Sequence, residues 1–452
     1  MNSPTELPRT LLLILAVLGG IVVSGNLRAG SATWSTNPIS GDWYTAENWN
    51  PNTVPNGPND VATLGASSIT TLTFPASSTT VLDSIILQSE ADFYTVVVKE
   101  SSLTFVGRGI PGLTGLFFDV ASRSTLIFQG TSECRAGIYN SGTILFQDQS
   151  SRPMGSTMGD TGGAITWSDQ SSAGGYFYTN GGLYFNDDST AEKVSSLGVI
   201  GPGFADISGH NAPGLAIPEP YGEGDIYLGA NNLTISSTDR IYPFNGSMKD
   251  GGANGGTGGS LTKVGPPGSR AILDGSSHYT GGTTILGGVL LIQTEIFDTS
   301  STPIGSGDVH VNAGGFGGTG HVPGNVIVGT GEGTPASLIL SGHRVFPIKQ
   351  SLTVASDGLM EVTIDSQARR HGEVSARGVT LTSGAQIEVS DRSGSKMATG
   401  TVLILIKNTA DTPITGTFAN LSDGGTLTVN ANTYQANYEG GDGNDLTLSV
   451  VP

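Results

Sequence analysis

Ser124-Thr125-Leu126-Ile127-Phe128-Gln129-Gly130 is echoed by Gly142-Thr143-Ile144-Leu145-Phe146-Gln147-Asp148, by Gly163-Ala164-Ile165-Thr166-Trp167-Ser168-Asp169 and by Gly181-Gly182-Leu183-Tyr184-Phe185-Asn186-Asp187. An earlier copy is Ser101-Ser102-Leu103-Thr104-Phe105-Val106-Gly107. Each segment gives two small residues, an aliphatic, any residue, an aromatic, any residue, then Gly or Asp. The aliphatic and the aromatic stand two apart, so both point to one face of a strand. Turn-forming residues separate copies that recur every ~20 residues, the pattern of strands stacked like on like. The reading is an all-β, right-handed parallel β-helix with ~20-residue rungs. Phe105, Phe128, Phe146, Trp167 and Phe185 are then expected in one internal row. An antiparallel sandwich, with strands every 8–12 residues or about that, is the alternative. The scarcity of Asn-Gly hairpin turns weighs against it.

The rest of the composition fits. Of 452 residues, 68 are Gly, roughly twice average usage, and the 13% charged residues are about half the average of ~25%. Helices are disfavoured by ~1 kcal/mol for each interior Gly. Against 20 basic residues stand 38 acidic ones, a net charge of -18, which opposes binding to nucleic acid or to anionic membranes. The single Cys134 leaves packing, not disulfides, to hold the fold and reads as a small buried hydrophobe.

Residues 1–32 read as a signal peptide. Arg9 precedes thirteen uncharged residues, 11–23, which as a helix rise ~20 Å, short of the ~30 Å of a hydrocarbon core. Gly30-Ser31-Ala32 offers small residues for cleavage after Ala32. No later run is long enough for a stable membrane span, and no row of amphipathic strands forms a barrel of its own. The protein is therefore expected outside the cell. Residues 33–60 carry Trp34, Trp43 and Trp49 and read as an N-terminal cap. Residues 61–249 form the first part of the solenoid, 250–259 a Gly-rich flexible loop, and 260–450 the remainder. Trp43 and Trp49 could instead form a sugar-binding platform; packing is the plainer role.

Past the Gly-rich loop come Ser260-Leu261-Thr262-Lys263-Val264-Gly265 and His278-Tyr279-Thr280-Gly281-Gly282-Thr283-Thr284-Ile285-Leu286-Gly287-Gly288-Val289-Leu290-Leu291. This resembles the autotransporter-associated β-strand repeat of bacterial passenger-like proteins, in which an LTKxG strand leads to YTGGTTxxxGGxL. Gly314 to Val322, the terminal Tyr438 to Leu448, and the opening Trp34 to Trp49 resemble other parts of such proteins. The resemblance implies a secreted β-helix with Tyr279, Gly281, Gly282, Gly287 and Gly288 as structural residues. The physical reading assigns positive φ to Gly281 and Gly282 at a corner closed by Tyr279, and places Thr283, Ile285, Val289 and Leu291 at alternating positions.

Chemical motifs are sparse. Hydrolase-elbow, zinc-protease and phosphate-loop motifs are absent from the sequence. The densest polar cluster, Asp365-Ser366-Gln367-Ala368-Arg369-Arg370-His371, offers an acid, two bases and an imidazole. It reads as a solvated loop, with catalysis as the alternative. Gly440-Gly441-Asp442-Gly443-Asn444-Asp445 resembles one unit of a calcium β-roll, so Asp442 and Asp445 are weak calcium candidates. It lacks the large aliphatic at the eighth position, Thr447, and a tandem copy; a turn before a closing strand is the plainer reading, and no cofactor is expected. The sequence thus describes a secreted, non-enzymatic structural or adhesin-like solenoid facing extracellular polysaccharide or cell-surface components. The alternatives are a polysaccharide lyase or hydrolase on the same scaffold and a carbohydrate-binding module.

Overall fold

The protein is described here by a computed structural model over residues 30–112, 115–153, 157–218, 220–236, 242–293, 302–341 and 344–452. The bulk of the expected leader lies outside these residues. Ser31 and Ala32 are inside the fold: the Val61 N–H donates to Ser31 Oγ at 2.9 Å, and Ala32 is buried in a strand parallel to Val61–Leu64.

The chain is a parallel β-solenoid. Leu103, Leu126, Ile144, Ile165, Leu183, Ala205, Ile226 and Met248 are successive register partners in one 13-stranded sheet. Two residues along, Phe105, Phe128, Phe146, Trp167 and Phe185 form the expected internal row, with centroids 5.0–5.4 Å apart and planes within 4–15°. Ring planes so nearly parallel mean that one rung is barely rotated on the next. Open sheets usually twist by ~20–25° per strand, and flatter ones need side-chain ladders of this kind.

The Gly-rich stretch is no boundary in the stack. Leu215, Leu233, Leu261, Thr283, Val309, Val326, Leu352 and Val379 make one continuous buried row that passes beneath it. Residues 250–259 are an excursion from one turn, held by Asp250, which accepts from the Gly259 N–H at 2.9 Å and the Thr280 hydroxyl at 2.6 Å.

Both ends are closed by antiparallel strands. Trp49–Asn50 runs antiparallel to Ala32–Trp34, and Trp34, Trp43 and Trp49 pack edge to face behind it with their indole N–H groups donating to backbone carbonyls. At the other end Val402–Asn408, Asp445–Val451, Asn432–Gly440 and Thr426–Val429 form an antiparallel cover.

Candidate functional site

One face of the solenoid is an eight-stranded sheet running from Thr71–Phe74 through Leu116–Val120, Gly137–Asn140, Thr157–Asp160, Ser172–Thr179 and Thr190–Val199 to Pro220–Gly222. Alternation sends Phe118, Ile138, Met158, Phe177 and Leu197 inward, where all are buried. The opposite parity faces solvent. In register, one outward row reads Asp119, Tyr139, Gly159, Tyr178, Gly198 and Tyr221. The neighbouring row holds Phe117, Gly137 and Tyr176. Tyr139 is 59% exposed, Tyr178 51% and Tyr176 43%, unusual for large rings on a sheet that buries its other side.

Glycine and ring are matched. A Cβ on Gly198 would sit 2.6 Å from Cζ of Tyr221, so that ring lies down across the glycine of the rung below. Phe117 covers Gly137 in the same way, and Phe117 stacks on Tyr139 with centroids 6.1 Å apart and planes 18° apart. The face therefore carries two rings laid over glycines, Phe117 and Tyr221, beside the exposed rings of Tyr139, Tyr176 and Tyr178. Such surfaces combine apolar area with a hydroxyl handle, the combination that recognises amphipathic ligands.

A second feature lies at a corner of the same turns. Asp148, Asp169 and Asp187 each adopt positive φ, a conformation Asp tolerates better than most residues. Asp148 Oδ2 accepts from the Gly130 N–H at 2.8 Å, Asp169 Oδ2 from the Asp148 N–H at 2.9 Å, and Asp187 Oδ2 from the Asp169 N–H at 3.1 Å. With Gln149, Gln170 and Asp188 they line a groove of about 570 Å³. One oxygen of each of the three carboxylates is thus committed to holding the preceding turn. His210 follows in the lane, and both of its ring nitrogens face backbone carbonyls, of Asn211 and Ser189.

No family model matches the chain, and no curated protein matches it. The resemblance of residues 259–450 to autotransporter-associated repeats therefore rests on the motif residues themselves.

Those residues are structural in a way the sequence reading only partly describes. Tyr279 is buried, with its hydroxyl 2.7 Å from Thr283 Oγ1, and burial, offset in part by hydrogen bonds to Thr283 and Gly305, pushes its phenol up to about 12. Gly281 and Gly282 lack the expected positive φ; of the four motif glycines only Gly288 has it, at 69°. Their requirement is proximity, because a Cβ on Gly281 would lie 2.5 Å from the Gly259 carbonyl oxygen and one on Gly282 2.9 Å from that of Asp308. Gly287 is likewise seated on the Gly265 carbonyl. The three-residue corner 286–288 also shifts the parity: Thr283 and Ile285 point inward, whereas Leu290 and Ile292, not Val289 and Leu291, do so in the next strand. Lys263 is buried in an inward row, its ammonium donating to the Val264 carbonyl.

Trp43 and Trp49 are buried at 0% and 1% exposure, so they are cap core and present no platform. Asp365 and Arg370 pair in an antiparallel hairpin, together with Ile364 and His371, rather than in an irregular loop. His371 Nε2 lies 2.8 Å from the Ile404 carbonyl oxygen, and burial lowers its pKa. Asp442 and Asp445 sit at the hairpin turn between Asn432–Gly440 and Asp445–Val451, whereas the calcium roll stacks parallel turns. Asp445 is buried and accepts from the Asn408 N–H at 2.9 Å. The aromatic face is the feature missed by the sequence reading; its signal is the pair of tyrosines flanking an inward residue in Tyr176-Phe177-Tyr178.

Proposed function

We propose that the protein is a secreted, non-enzymatic, adhesin-like β-solenoid that holds to extracellular polysaccharide through its aromatic face. The observation that carries this reading is the set of solvent-facing rings on one flat sheet. Exposed aromatic surface of this extent costs a soluble protein solubility, and it is kept where a partner covers it. A solenoid gives such a face length without a large core, since each turn packs only on its neighbours. The leader expected over residues 1–32 and the repeat-like motif of residues 260–291 support display outside the cell.

Two measurements test this. A tagged copy expressed in its host is expected in the medium or on the cell surface; retention in the cytoplasm overturns the extracellular part. Purified protein is expected to be depleted from solution by particulate polysaccharide, and a variant with Tyr139, Tyr176 and Tyr178 all replaced by Ala is expected to stay in solution. Depletion that ignores the three substitutions overturns the aromatic face as the site.

The aspartate lane favours a second reading, a polysaccharide-cleaving enzyme, because carboxylates aligned on successive rungs are what acid–base chemistry on a solenoid needs. Release of reducing ends or unsaturated products that disappears in Asp169→Asn would establish it.

A further inference from the structure

The aromatic face has a measure as well as a chemistry. In the row Tyr139, Gly159, Tyr178, Gly198, Tyr221, rings and glycines alternate strictly from rung to rung. Strands stack at ~4.8 Å, so equivalent rings recur every ~10 Å along the axis. The internal ladder, with planes within 4–15° from rung to rung, keeps the row straight. Ring-on-glycine seating holds Tyr221 flat, so its π face is turned outward.

We infer that this row binds a neutral β-1,4-linked glycan laid along the solenoid axis, one disaccharide to every two rungs. The inference rests on the polysaccharide-binding reading above and names its substrate class. An extended β-1,4 chain turns each sugar by about half a revolution relative to the last. Every second sugar therefore presents the same C–H face to a straight row, and a disaccharide spans close to two rungs. Axial C–H groups meet the negative face of an aromatic ring favourably. An α-1,4 chain coils and leaves the row after one contact, and a β-1,3 chain curves away from it.

Charge selects within the β-linked class. Neither outward row contains Lys or Arg among the described residues; Asp119 stands at one end of the tyrosine row, and the chain carries a net charge of -18. An anionic polysaccharide would be repelled, whereas a neutral one would not.

The test is calorimetric titration of the full protein with cellohexaose, maltohexaose, laminarihexaose and polygalacturonate. Cellohexaose is expected to bind at least about tenfold more tightly than the other three, and more tightly than cellotetraose, which reaches fewer rings. Tyr178→Ala is expected to weaken cellohexaose binding about tenfold with the melting curve unchanged, the scale of one lost aromatic contact. Tyr178→Trp restores binding, and Ile339→Ala, on the later rungs of the same face, leaves it unaltered. Equal affinity for the three hexasaccharides, or preference for polygalacturonate, with Tyr178 still required, overturns the linkage assignment and leaves polysaccharide adhesion standing. Cellohexaose binding indifferent to Tyr178→Ala overturns the row as the site. Failure to bind any of the four, and any particulate polysaccharide, overturns both readings.

Discussion

The aromatic face does not stop at Tyr221. Bridges through Phe244 carry it into Arg270–Leu273, and the sheet continues through Val289–Ile292, Gly314–Gly318 and Ala336–Leu340 to Gly358–Asp365 and Gln386–Asp391. There the outward row reads Ile272, Leu291, Gly317, Ile339, Glu361 and Glu388. The backbone device is common to both stretches, a glycine with a neighbour's side chain lying over it; a Cβ on Gly315 would meet Cδ1 of Ile339 at 2.6 Å. What lies over it differs, a ring early and an aliphatic late, and the late row ends in carboxylates. The late stretch leaves a concavity of about 520 Å³ lined by Gly288, Gly315 and Ile339 rather than a raised row of rings. Parallel stacking fixes inward residues tightly and leaves outward ones free, so one scaffold carries two different surfaces.

The contrast can be broken first from inside. Phe146 touches rings on both adjacent rungs, and Phe146→Ala is expected to cost about 3–5 kcal/mol, read as a lowered denaturation midpoint; a loss below ~1 kcal/mol would show that the early turns do not depend on their ladder. The glycines come next. Gly281→Ala drives a Cβ against two backbone carbonyls and is expected to cost about 1–3 kcal/mol. Gly198→Ala meets the Tyr221 ring first, which can swing aside, so stability should change by about 1 kcal/mol or less while the ring's seating is lost. Equal melting curves for the two variants would erase the distinction between backbone-seated and ring-seated glycines.

Acid gives the smallest and most local effect. Burial pushes the Asp250 carboxyl up, but hydrogen bonds from Thr280, Gly258 and Gly259 outweigh it and hold its pKa below the ordinary 3.8. Asp357 is lowered likewise, burial being outweighed by the N–H groups of Gly331, Gly333 and Thr330. A lowered folded pKa gives stability that is present above pH 3.8 and lost as pH falls through the folded value. Asp160, in the early stretch, is raised by burial, only partly offset by hydrogen bonds from Gly163 and Thr179. Its ionised form costs stability at neutral pH, and that cost disappears on acidification. Hydrogen exchange below pH 3.8 should therefore open residues 250–259 and 330–333 before the turn at Asp160; the reverse order would contradict these assignments.

The inner ladder was legible in the sequence because stacking like on like repeats the same types, Phe105, Phe128, Phe146, Trp167 and Phe185, at visible intervals. The tyrosine row was not, because Tyr139, Gly159 and Tyr178 resemble one another only once the register has placed them on successive rungs. The indoles of Trp43 and Trp49 are as aromatic as those tyrosines, and only the fold of the cap distinguishes buried ring from exposed ring. Gly281 and Gly282 were recognisable as indispensable, but the reason assigned was local. The carbonyls that exclude a side chain there belong to residues 259 and 308, in the rungs below and above, and no local conformational rule contains them.

The antiparallel strands at both ends have a further consequence. A parallel stack with bare ends is a template on which a second molecule can add in the same direction, without limit. Here Trp49–Asn50 runs against the stack at one end, and at the other Val402–Asn408, still parallel to Glu373–Ala376, is covered by Asp445–Val451 running against it, so growth ends where the chain's own count of turns ends. The molecule is a ruler of genetically set length. Inserting or deleting a pair of tyrosine-and-glycine rungs would lengthen or shorten the row by one step, so that under the proposed glycan binding, reach along a chain becomes a quantity that evolution, or an engineer, adjusts in whole units.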